Sequence, residues 1–109
     1  MKLLATLALS AGLLAITATA ASASPSFNCR YASLATEKAI CGNSYLQQLD
    51  RQMAGLYHFA QSHLYGYSAK KLRNGQRAFL QSRNACGWNI GCIEANYNDR
   101  NTFLETFGD

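Results

Sequence analysis

The chain has 109 residues, a formal net charge of +4 and four cysteines. That length fits one domain, and a domain so short buries only about 60% of its unfolded surface, so covalent staples are expected. The basic surplus is small and no nucleic-acid-binding motif accompanies it, which argues against a nucleic-acid partner.

Met1 and Lys2 form a short positive start, and Leu3 to Ala20 follow without a charge. Two small-x-small sites come next, Ala18-Thr19-Ala20 and Ala21-Ser22-Ala23. A charged start, an apolar run and such a site predict a cleaved secretory signal over 1–23. A membrane span is the competing reading, but the run ends in Ala, Ser and Thr and lacks a basic stop-transfer flank. The expected mature domain is 24–109, periplasmic or secreted and without a membrane span after cleavage. Loss of Lys2 lowers its formal charge from +4 to +3.

Beyond Pro25, the only proline, the chain reads as helices punctuated by glycine. Thr36 to Cys41 makes a short first helix, with Gly42-Asn43 suited to a left-handed stop. Ser44-x-x-Gln47 has the form of a capping box. Behind it Leu46, Leu49, Asp50, Met53, Leu56, Tyr57, Ala60 and Leu64 share a face at three and four spacing, a second helix ending near Gly66. Ser68 is placed to cap a third helix, with Leu72, Gln76, Phe79, Leu80 and Arg83 inward, ending at Cys86-Gly87. A fourth runs from about Ile93 through Tyr97, Arg100, Leu104 and Phe107 to Gly108. No strand pattern of useful length occurs. The fold expected is all-α, a small bundle of about four helices with two disulfides. The short second connection predicts that helices two and three form an antiparallel hairpin.

Gly55 and Gly75 stand inside helices at a cost of about 1 kcal/mol each against alanine, and mark either close approach of another backbone or surface tolerance. Asp50, Arg83 and Arg100 interrupt apolar stripes. Such charges must be paired or sit at a rim, and a structural ion-pair cluster of Asp50 with Arg83 and Arg100 is the reading preferred.

Four cysteines in an exported chain read as two disulfides, with three pairings open. Locality, and the glycines flanking Trp88, favour Cys29–Cys41 and Cys86–Cys92. Zinc is disfavoured because the Cys-x2-4-Cys spacing is missing. His58 and His63 lie about 140° apart around their helix and do not share a face, so no metal, cofactor or catalytic site is expected and the chain does not read as an enzyme.

One set of residues carries a resemblance. Cys29, Glu37-Lys38-Ala39-Ile40-Cys41, Leu49-Asp50, Gln76-Arg77-x-Phe79-Leu80-x-x-Arg83-x-x-Cys86, Cys92-Ile93, Tyr97 and Arg100 occur in an order that resembles the lysozyme inhibitor LprI N-terminal domain family of exported bacterial proteins. The resemblance spans essentially the whole mature chain. Two positions depart from it: Phe79 stands where the family usually has tryptophan, and Asn84 where it has an acid. The resemblance implies a periplasmic or secreted helical domain that inhibits lysozyme by binding.

Lysozymes carry two acidic groups in a cleft, which a protruding polar or basic loop could enter. The corner Gly87 to Gly91 is the candidate, with Arg83, Trp88 and Asn89 as partner-binding residues, although Trp88 is equally suited to packing at the helix corner. The alternative is a periplasmic structural or interaction module that binds another envelope protein and has no affinity for lysozyme.

Overall fold

The structure, a computed structural model, describes residues 24–107. The signal segment read over 1–23 lies outside the described residues. A 3-10 turn, Cys29–Tyr31, leads into four helices: α1 (Ala35–Cys41), α2 (Ser44–His63), α3 (Gly66–Asn84) and α4 (Ile90–Glu105). Among the described residues there is no strand, and the two disulfides are Cys29–Cys41 and Cys86–Cys92, so the chain is a small all-α bundle. Each bridge closes a short loop, worth about 2–3 kcal/mol by the chain-entropy estimate.

The helix starts differ from those read in the sequence. Asn43, not Ser44, caps α2: its Oδ1 accepts the Leu46 N–H at 3.0 Å. Gln47 turns away from the capping-box geometry and donates to the Cys41 carbonyl at 2.8 Å, tying α2 to the end of α1. Gly42 does not take the left-handed stop, having φ −94°. Positive φ occurs instead at Gly66 (56°) and Gly87 (58°), the two joints where the chain must change direction. α3 therefore starts at Gly66 and Ser68 lies inside it, while Asn89 caps α4 by accepting the Cys92 N–H, so that this helix starts at Ile90, three residues before Ile93.

The core is built from one stripe on each helix. Ala39 and Ile40 come from α1, Leu46, Leu49, Met53 and Ala60 from α2, Leu72 and Phe79 from α3, and Ile93, Tyr97 and Leu104 from α4. The expected hairpin of α2 with α3 gives way to a different pairing. α2 packs most extensively against α4, α3 also leans chiefly on α4, and α2 and α3 touch little. The reason lies in the stripes. Ile93, Tyr97 and Leu104 are almost wholly enclosed, which requires covering from two sides, whereas α3 contributes only two buried apolar side chains. Asn101 adds a polar tie from α4, donating to the Leu49 carbonyl at 3.3 Å.

Candidate functional site

Two polar arrangements organise the molecule, one inside and one at the surface. Asp50 of α2 is fully buried, and its Oδ1 accepts the Tyr97 hydroxyl of α4 at 2.7 Å. That hydroxyl in turn accepts from Arg83 Nη1 of α3 at 3.0 Å. The direct Arg83–Asp50 approach is longer, 3.9 Å, so the phenol carries the contact between the two charges. The Ser26 N–H donates to the other carboxylate oxygen at 2.5 Å, and the Phe27 ring lies under the Arg83 guanidinium at 5.7 Å. Arg51 holds the neighbouring Ser24 carbonyl at 3.1 Å. The first residues after the expected cleavage site thus close over the buried pair. Burial, and then the Asp50 carboxylate, push the Tyr97 phenol well above its ordinary value, so it stays a neutral donor.

Arg100 is not a member of this cluster, contrary to the reading of its stripe. Its Nε donates to Gln76 Oε1 at 3.0 Å, and the guanidinium lies against Gly75 on α3. One turn of α4 separates Tyr97 from Arg100. The first bridges Asp50 of α2 and Arg83 of α3, whereas the second bonds to Gln76 of α3, so the Asp50 carboxylate does not serve both arginines. Arg83, read as a candidate for the partner surface, is only 4% exposed and belongs to the interior. Its remaining N–H groups go to Asn84 Oδ1, at 2.8 and 3.1 Å. At the position where the resemblance expects an acid, the neutral amide still satisfies the guanidinium.

The surface arrangement is the corner between α3 and α4. Gly87 supplies the left-handed turn, the Asn89 N–H donates to the Cys86 carbonyl at 3.1 Å, and the Cys86–Cys92 bridge closes the loop. Thr36 of α1 braces it from below. This fully buried hydroxyl stands 2.8 Å from the Gly87 carbonyl, with the Asn84 and Arg83 carbonyls at 3.2 and 3.3 Å. Asn96 braces it from α4, donating to the Cys92 carbonyl at 3.0 Å while accepting from Ser82 at 2.6 Å. Asn89, the third partner-binding candidate, commits its side-chain oxygen to capping α4. Trp88 is left projecting from this frame, 64% exposed, with Ile90 exposed beside it in sequence.

Comparison with family models, curated proteins and solved structures finds no match. The site is therefore defined by its side chains alone. Sequence reasoning missed Tyr97 as the link in the buried cluster and Thr36 as the brace of the corner. Tyr97 had a signal, a phenol in register with inward-facing charges. Thr36 had none, because its three carbonyl partners lie 47 to 51 residues away in the chain.

Proposed function

We propose that the chain is an exported, LprI-like binding protein that offers the stapled corner to a protein partner, with lysozyme the partner that the resemblance suggests. The observation that carries this reading is Trp88, a large indole held out into solvent by a disulfide, a left-handed glycine and a buried threonine. Tryptophan is among the residues that most often dominate binding energy. A corner already fixed in shape loses little conformational freedom when a partner closes on it. No helix among the described residues is long and apolar enough to cross a membrane. Two local disulfides suit an oxidising compartment and support the export read from 1–23. The role is binding rather than catalysis.

The test is a lysozyme activity assay on cell walls with the exported protein as the added inhibitor. Inhibition should saturate, and Trp88→Ala should weaken it at least about tenfold, the effect of losing one binding hot spot. A mature charge of +3 repels a basic lysozyme at long range, so added salt should speed association rather than slow it. Full lysozyme activity at saturating protein would overturn the inhibitor reading in favour of a module for another envelope protein.

A further inference from the structure

At the end of α4 remote from Trp88, a groove of about 620 Å³ opens between the start of α3 and the last turns of α4. Leu64, Leu72, Phe103 and Phe107 make its apolar walls, and Lys71 and Arg100 bring the charge. This size and this balance, mostly apolar with a few polar groups, are those of a small-molecule site.

The arginine is the telling residue. Among the described residues the only ion pair joins Asp50 and Arg83, and no carboxylate of those residues pairs with Arg100. Its Nε is held by the neutral Gln76 amide, and its Nη2 is buried with no hydrogen-bond partner among the described residues. The Phe103 and Phe79 rings lie 5.3 and 6.0 Å from the guanidinium carbon. Gly75 leaves room for the group, since a Cβ there would stand 3.3 Å from Nη1. Burial lowers the pKa of Arg100, yet a guanidinium remains charged in proteins. A cation held on an apolar wall with donors to spare is half of a charge-assisted pair, and its planar fork suits a carboxylate.

We propose that the groove binds a free amphipathic carboxylate, with its acyl chain on Leu64, Leu72, Phe103 and Phe107 and its headgroup on Arg100. Lys71 adds a second positive charge at the mouth. The site is separate from the Trp88 corner, and the inference goes beyond the binding function above. The competing occupant is the chain's own Asp109, two residues past Phe107.

The test titrates sodium laurate, below its micelle concentration, into the full exported protein and follows amide shifts by NMR. Saturable one-to-one binding is expected, with shifts at Gly75, Arg100 and Phe103 and unchanged helix content. Arg100→Met should weaken it at least about tenfold, the size of one charge-assisted hydrogen bond. Uncharged dodecanol should bind the unaltered protein more weakly by a similar factor. Lys71→Glu, at an exposed position, should lower laurate affinity even if Arg100→Met fails to fold. Equal affinity for laurate and dodecanol, no saturable binding, or binding that unfolds the helices would each overturn the proposal. Laurate binding that appears only after Gly108 and Asp109 are removed would assign the groove to those two residues of the chain and overturn it as well.

Discussion

The Tyr97 hydroxyl stands between Asp50 and Arg83, donating to the carboxylate at 2.7 Å and accepting from the guanidinium at 3.0 Å. Three helices meet in this one relay, since Asp50 is on α2, Arg83 on α3 and Tyr97 on α4. A buried pair of this kind is weak as net stabilisation but expensive to break, because the survivor remains charged and uncompensated.

Asp50→Ala should therefore cost about 3–5 kcal/mol, measured by denaturant unfolding. Tyr97→Phe removes one hydrogen bond from each charge and should cost about 1–3 kcal/mol. Asp99→Ala, at an exposed position on α4, should stay within about 0.5 kcal/mol of the parent. Equal stability of the Asp50 and Asp99 variants would show that the relay contributes nothing to the framework.

The two helical glycines should part company on substitution. Gly55 faces open space, with nothing within 4 Å of an added Cβ, so Gly55→Ala should stabilise by about 1 kcal/mol through helix propensity alone. At Gly75 the same methyl would stand 3.3 Å from Arg100 Nη1, so the guanidinium must shift and part of the gain is lost. Thermal melts of the two variants should rank Gly55→Ala above Gly75→Ala. The reverse order would mean that Arg100 does not rest on Gly75.

Glu37 carries a pH signature. Its Oε1 accepts the Leu34 N–H at 3.1 Å and the Ser33 N–H at 3.0 Å, and these bonds hold its carboxyl below the usual value of 4.5. A depressed carboxyl favours the folded state fully above its unfolded pKa, and that contribution fades as the pH falls through the lower folded value. Denaturant midpoints of the parent and Glu37→Gln should differ at pH 7 and converge as the pH drops below about 4.5. A difference that stays constant from pH 7 to 3 would place the effect of Glu37 outside its charge.

By itself, the sequence determined the features that depend on near neighbours. Three-and-four spacing placed the inward faces of α2, α3 and α4, including the buried position of Asp50, because periodicity is a property of the helix and not of its partners. Short separations, 12 and 6 residues, favoured the two bridges that form. The starts of α2, α3 and α4 were less legible, since Asn43 and Ser44, or Gly66 and Ser68, are chemically adequate alternatives and only the path of the chain selects between them. Tertiary structure decided everything that depends on which stripes meet. It put α4 rather than α3 against α2, joined Asp50 to Arg83 through Tyr97, sent Arg100 to Gln76, and set Thr36 beneath the corner that presents Trp88. Pattern along the chain records that a side chain points inward, but its partner is chosen by distances between residues far apart in sequence, and those exist only once the helices have packed.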